Sequence, residues 1–394
     1  MTLMVKILLV LMTLLLLPPL LLHRMLLRGK PELRWCKRLL WSLTLLLFVG
    51  VVVFLLSGFS SGSPEWLWRM FFPLLFGSCV SELLIVVGAL LSRLFKKSFL
   101  LSRGLLGLGF LAAAINIIIV TMAYFIGNKR IDVKEYEFCC QDLPEAFDGF
   151  RVVHFSDLHL GTYGKDTARV AQLIDKVLEQ HGDMILFTGD LVNFSSAEAQ
   201  AFTKDLARLS APYGVYSILG NHDYAVYAKY ESRREQVSDI LNLVKIEQDA
   251  GWTVLRNENV MVEKDSAKIA LIGVENDGRP PFPQLADLKK AQLGLPDQLD
   301  GHPLFKILLT HDPSHWRRSV LGETDAQLTL AGHTHGMQFK LLGWSPASML
   351  YREWGGQYYE GNRSLVVSIG LGLGSVPFRF GAWSEVCVIT LRKK

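Results

Sequence analysis

The sequence predicts an α/β domain preceded by a bundle of about four transmembrane helices, and three observations carry that prediction. Residues 1 to 135 hold 15 Lys and Arg against 5 Asp and Glu, whereas residues 136 to 394 hold 26 against 32. The basic excess lies beside long apolar runs, a pattern that sets membrane topology rather than nucleic-acid binding. Beyond residue 130, β-favouring runs alternate with amphipathic stretches of helical period, as in a layered α/β domain. Five of those runs end in Asp, Asn or His side chains, and open α/β sheets place ligand groups at strand C-termini.

Residues 7–22 are almost all Leu, Ile, Val and Met, interrupted by Thr13 and Pro18-Pro19. A helix needs roughly 20 apolar residues to span a bilayer, so this first segment is marginal. A secretory signal is the competing reading; the missing small-x-small cleavage pattern favours a retained helix. Clearer spans follow at 39–57, 70–92 and 104–126. Gly104, Gly107 and Gly109 suit close helix packing, and Trp35, Trp41, Trp66 and Trp68 sit near span ends. Glu82 and Asn116 are expected to make helix-to-helix hydrogen bonds rather than an ion path. The loops after spans one and three carry ten Lys and Arg and the opposite side five. By the positive-inside tendency, the C-terminal domain then faces outward. The transmembrane region is expected over 1–127 and the second domain over 128–394. The five cysteines include no Cys-x-x-Cys pair, and adjacent Cys139 and Cys140 are poorly placed to bridge, so no disulfide framework or thiolate zinc site is supported.

The second domain opens with an alternating strand at 131–138. Strand 151–156 runs into Asp157 and His159 and is followed by a helix at 166–181. Strand 183–188 runs into Gly189-Asp190, with a helix near 197–209. Strand 214–219 runs into Gly220-Asn221-His222-Asp223, before a helix at 231–250. The remainder is richer in strand, at 253–256, 259–264, 268–275, 304–310, 326–331, 364–370 and 384–392. Two of these also end in ligand types, His311-Asp312-Pro313 and Gly332-His333-Thr334-His335-Gly336. Oxygen and imidazole ligands without thiolate suit Mn, Fe or Zn and do not choose among them.

These blocks, in this order, resemble the five-block signature of the calcineurin-like metallophosphoesterases, over about 260 residues. With the apolar N-terminus and the segments 332–338 and 370–379, the chain looks most like the membrane-associated bacterial branch, whose members include phosphodiesterases and pyrophosphatases of a nucleotide-linked lipid A precursor. Met337 stands where many relatives have a second Gly. The resemblance implies a four-layer αββα sandwich holding two divalent metal ions. Asp157, His159 and His335 would hold one, Asn221, His311 and His333 the other, and Asp190 would bridge them. Two cations about 3.5–4 Å apart need a shared anionic ligand, and they can clamp a phosphoryl group and acidify a bridging water, whose hydroxide attacks phosphorus. His222 would act as general acid or as a charge donor to the transition state, with Asp223 orienting its imidazole. Gly189, Gly220 and Gly332 are expected to permit tight turns at the strand ends.

His154 is expected in the core, and His181, His302 and His315 on the surface or in loops. Asp312 is either a residue supporting the ligands or a turn former. Arg352 and Arg379 are candidates for binding substrate phosphate. The apolar residues of 339–359, with Val376-Pro377-Phe378, either receive acyl chains and the bilayer or form loop core. The leading function is a membrane-anchored phosphoesterase acting on a phosphodiester or pyrophosphate, with a lipid or cell-envelope substrate. A phosphomonoesterase, a membrane sensor with a metal-stabilised binding domain and a four-span transporter are the alternatives. No Gly-rich nucleotide loop and no basic nucleic-acid patch is present.

Overall fold

A computed structural model describes residues 3–57, 65–299, 301–374 and 378–394. Val376-Pro377 therefore lies outside the described residues. The chain divides into two compact units, Met1–Ile126 and Gly127–Lys394.

The first unit is helical: α1 (Leu3–Leu22), α2 (Arg34–Ser57), α3 (Glu65–Leu94) and α4 (Phe99–Met122). Among the described residues, three helices are long and apolar enough to cross a membrane, over Pro31–Val53, Met70–Leu94 and Phe99–Gly127, and a shorter apolar helix covers Met12–Leu27. Helices α3 and α4 meet through Gly88 and Gly109, where a Cβ on either would strike the other's backbone. Gly104 and Gly107 instead face open space, so only one of the three predicted packing glycines packs. Asn116 Nδ2 donates to Gly77 O at 3.2 Å and Ser81 Oγ at 3.0 Å, tying α4 to α3 as expected for a polar group in an apolar setting.

In the second unit the strands are β1 (Ile131–Cys140), β2 (Arg151–Phe155), β3 (Met184–Phe187), β4 (Val215–Ser217), β5 (Thr253–Val254), β6 (Glu258–Lys264), β7 (Ala267–Gly273), β8 (Gln298–Leu299), β9 (His302–Pro303), β10 (Lys306–Leu309), β11 (Leu328–Ala331), β12 (Gly356–Glu360), β13 (Arg363–Val367) and β14 (Ser384–Lys393). Among the described residues, they build two six-stranded mixed sheets, ordered β1-β14-β2-β3-β4-β5 and β12-β13-β11-β10-β7-β6, beside the small β8-β9 pair.

Strand periodicity sorts the core into layers. Val152, Met184, Leu186, Cys387 and Ile389 turn toward Ile307, Leu309, Leu328 and Val366 of the second sheet. The alternate residues Val153, Phe155, Ile185, Phe187, Val386 and Val388 turn outward. They meet α5 (Thr167–Leu178), whose buried Val170, Leu173, Ile174 and Val177 follow helical spacing, and residues Leu243 and Ile246 of α7 (Arg233–Asp249). Asp166 and Ser232 cap these helices by accepting from Arg169 N and Glu235 N. The outer cover of the second sheet is thinner, made by Leu288–Ala291 and the turn around Trp316 and Val320.

Local differences from the predicted elements have local causes. The helix expected near 197–209 is a 3-10 segment, Ser196–Phe202, ending in the short α6 (Thr203–Leu206). Glu198 there turns back to accept from Asn193 N and Phe194 N, and Ser196 is held by Asp239. The strand expected over 364–370 stops at Val367, before the left-handed Gly370. Strand β12 was not anticipated, and it antiparallels β13 with Tyr358 opposite Leu365.

Phe187 is fully buried against Phe155 and Trp252, with centroids 4.9 and 5.7 Å away. Phe187→Ala is expected to cost about 3–5 kcal/mol, seen as a lower denaturant midpoint for the second unit.

Candidate metal centre

Every predicted ligand block lies just beyond a strand and bends sharply. Asp157, His159, Asp190, His333 and His335 all have positive φ, between 49° and 74°. Non-glycine residues adopt that conformation at a cost, so these turns are held by their surroundings. Of the three preceding glycines only Gly189 has positive φ. Gly220 and Gly332 answer a different need, close approach. A Cβ at Gly220 would strike Asp190 Oδ1 and the His311 ring, and one at Gly332 would strike Ser156 Oγ and Asp157 Oδ2.

The ligand candidates converge into three overlapping groups, Asp157 with His159 and His335, His159 with Asp190 and His222, and Asp190 with His311 and His333; within each, the donor atoms lie within 4.8 Å of one another. His335 Nε2 lies 3.0 Å from His159 Nε2 and 3.2 Å from Asp157 Oδ1. Asp190 Oδ2 stands between the two sides, 3.7 Å from His159 Nε2 and 3.1 Å from His311 Nε2. Asn221 Oδ1 lies 3.1 Å from His311 Nε2 and 2.8 Å from His333 Nδ1. Together with His222, Phe282, Met337, Leu350 and Tyr351, part of this set lines a cavity of about 280 Å³.

This donor set fits metal ions. Asp157 Oδ1 is buried without a hydrogen bond, and imidazole nitrogens face one another at 3.0–3.3 Å. Such an arrangement needs positive charge between its members. Burial would raise both carboxyl pKa values, yet His335 and His311 hold Asp157, and His311 and His222 hold Asp190, below the carboxylate range. Burial lowers His159 to about 3, assisted by His222 and His335, which leaves a neutral ring with a lone pair to give. Burial would also lower His311, but Asp190 dominates and raises it to about 10. The carboxylates thus draw positive charge to the His311 side of the cluster, charge that a bound cation would supply in a proton's place.

Surrounding groups fix how the ligands point. His311 Nδ1 donates to Thr188 O at 2.7 Å, turning Nε2 toward the cluster. Tyr351 Oη lies 2.8 Å from His333 Nε2 and so turns Nδ1 inward. Asn221 Nδ2 donates to Tyr227 Oη at 3.0 Å, which faces the amide oxygen toward the imidazoles. The sequence marks Tyr351 only as part of the apolar segment 339–359, not as the support of an imidazole, and does not mark Tyr227.

Several expectations change. Asp223 does not orient His222. Its carboxylate accepts from the backbone N–H of Asp190, Leu191, Val192 and Gly220 at 2.7–3.2 Å, clamping two ligand loops together. Burial and the Asp190 charge raise Asp223 to about 7, against the Gly220 and Val192 N–H groups that favour the anion. His222 is oriented by the Asn193 carbonyl, 2.7 Å from its Nδ1. Arg379 is 0% exposed, donates to the carbonyls of Ile369, Gly370, Gly372 and Ala382 and lies 3.1 Å from His335 Nδ1, so it braces the loop beside that residue instead of meeting a phosphate. Arg352 is 75% exposed beside Glu353. His315 is buried, between Thr310 Oγ1 and Asp277, not on the surface. His154 is buried on Thr188 Oγ1, while His181 and His302 are exposed. Asp312 makes the expected turn, with Oδ1 accepting from Ser314 N, whereas Oδ2 is buried without a hydrogen bond, 3.7 Å from His333 Nε2.

A family model described as calcineurin-like phosphoesterase matches residues 150–337. The uncharacterized metallophosphoesterase YkuE of Bacillus subtilis (strain 168) is 32% identical over 289 residues, covering 68% of this chain and 88% of the relative. A transmembrane protein with metallophosphoesterase domain from Danio rerio is 27% identical over 333 residues, covering 82% and 70%. The UDP-2,3-diacylglucosamine pyrophosphatase LpxG of Chlamydia trachomatis is 27% identical over 299 residues, covering 63% and 86%.

Asp223→Asn removes acceptor capacity from four buried N–H groups without touching His222. It is expected to weaken metal affinity about 10- to 100-fold by titration calorimetry. The pH profile of any metal-saturated activity should keep its shape, whereas a displaced limb would restore Asp223 as the partner of His222.

Proposed function

The chain belongs to the calcineurin-like phosphoesterase family and is a metal-dependent phosphoesterase; from that premise we propose that it uses two divalent cations to hydrolyse a phosphodiester or pyrophosphate bond in a lipid or cell-envelope molecule. The observation that carries this reading is the position of Asp190 between two imidazole groups at one cavity. Asp157, His159 and His335 would hold one cation, Asn221, His311 and His333 the other, and Asp190 both. Mn, Fe and Zn all suit such donors. Bound there, the cations supply a clamp for phosphoryl oxygens and lower the pKa of a water.

The rest falls to the chain. Because Asn193 O engages His222 Nδ1, Nε2 is the atom that exchanges a proton, and it serves the leaving oxygen. Thr188, Tyr227 and Tyr351 keep the ligands turned inward, so little reorganisation is needed when charge develops. Phe282, Met337 and Leu350 give the cavity an apolar part of its lining.

A lipid-linked substrate is favoured by two things. Apolar helices associate the chain with a membrane, and the relative LpxG is named for a diacylated sugar nucleotide. We read the helices as multiple spans, with the catalytic unit on the outer face by the Lys and Arg distribution.

In full-length protein stripped by chelator, added Mn is expected to restore hydrolysis of an artificial phosphodiester over a monoester. His222→Ala should lower kcat by about 10²- to 10⁴-fold, and Asp190→Asn should lose metal and activity together. A preference for the monoester would make the enzyme a phosphomonoesterase; silence from folded, metal-loaded protein would favour a binding module.

For topology, protease added to intact cells is expected to digest the unit after residue 130. Protection there until the membrane is opened would place it in the cytoplasm.

A further inference from the structure

The segment after His335 carries a feature that neither backbone preference nor core packing explains. Leu341 and Trp344 exchange both backbone hydrogen bonds, at 2.9 and 3.0 Å, forming a two-residue hairpin. At its tip Leu342 and Gly343 both have positive φ, 50° and 85°. That is the geometry of a type I′ turn, whose first position ordinarily takes Asn, Asp or Gly. Here it is a leucine, and it is 98% exposed.

The tip is not alone. Leu341 and Trp344 beside it are exposed, as are Met349 (77%) and Leu350 on the following turn. The base beneath them is fixed. Lys340 N donates to Phe380 O at 2.7 Å, Phe339 stacks on Phe380 at 5.7 Å, and buried Ser345 donates to Gly336 O at 2.7 Å. The ledge reaches the cavity, because Leu350 and Met337 line it together with His333 and His335. Lys340 and the exposed Arg352 flank it with positive charge.

We propose that residues 341–350 form an interfacial membrane-docking surface, seating Leu342, Trp344, Met349 and Leu350 in the acyl boundary of the bilayer that receives the chain's own apolar helices. Three observations select a bilayer as the occupant. The same chain supplies helices of bilayer length. A projecting apolar tip with an adjacent tryptophan and flanking cations matches the layering of apolar chains beneath anionic headgroups. The patch is also continuous with the cavity mouth, so docking holds that mouth at headgroup level, where lipid phosphates lie. Only this last consequence rests on the phosphoesterase reading.

The test uses full-length protein in nanodiscs of phosphatidylcholine and phosphatidylglycerol with brominated acyl chains. The chain has nine tryptophans, so the difference between wild type and Trp344→Phe isolates Trp344. Its fluorescence is expected to be quenched by the bromines and shielded from aqueous iodide, and Leu342→Asp with Met349→Asp should reverse both. Quenching by iodide alone would overturn the proposal. So would shielding from both quenchers with Leu342→Cys cross-linking between two chains, which would make the occupant a second copy. Hydrolysis of bis(para-nitrophenyl) phosphate by wild type in the same nanodiscs is read separately. Bromine quenching without hydrolysis would keep the docking surface and remove the phosphoesterase reading.

Discussion

Two carboxylates buried within one cluster, Asp157 and Asp190, are the constraint on which the second unit depends. Unpaired, such charges would be driven to accept protons or to admit water. Each instead faces imidazole nitrogens from other loops: Asp157, His159 and Asp190 stand at the ends of β2 and β3 in one sheet, and His311 and His335 at the ends of β10 and β11 in the other. The inter-sheet core of Phe150, Leu186, Ile307 and Leu330 brings those four ends to one place. Packing and electrostatics therefore oblige each other. The apolar layer sets the distance between the sheets, and the charged cluster makes a change in that distance expensive.

Left-handed backbone at five candidate ligand positions is the local cost of this arrangement. Each such residue carries strain of order 1–3 kcal/mol, offset by the contacts around it. Asp223 provides many of them, because four N–H groups from two loops end on one carboxylate. Arg379 does the corresponding work for the 369–374 loop, gathering carbonyls with a guanidinium fork.

The fold class and the cluster were legible because they are written in short local patterns. A β-favouring run followed by Asp-x-His or Gly-Asp states both the strand and what it carries, and Val152 through Phe155 alternate between layers as the pattern demands. What was not legible acts across distance or through the backbone. Asn193 contributes a carbonyl, which any residue has. Tyr351 lies in an apolar segment where support for a ligand and loop core look alike. Asp223 was assigned to its sequence neighbour, although in the short 3-10 turn from His222 to Tyr224 successive side chains diverge. Arg379 carried a correct suspicion of importance with the wrong contact, since burial cannot be read from one guanidinium. Strand β12 was hidden because it starts at Gly356, directly after Gly355, and pairs only at a sheet edge.

The edge strand β1 sits beside β14, in parallel register from Ile131 opposite Ser384 to Cys140 opposite Lys393, and β14 separates β1 from β2. During synthesis β1 leaves the ribosome well before its neighbour, with every strand that carries the cluster in between. The first sheet therefore closes only when β14 slides between two strands that have long been waiting. Until then β1 and β2 each present an open edge, a liability for a slow, non-local topology. Order of assembly is thus built into the strand order: the cluster's residues are all present before the sheet that steadies Asp157 is complete.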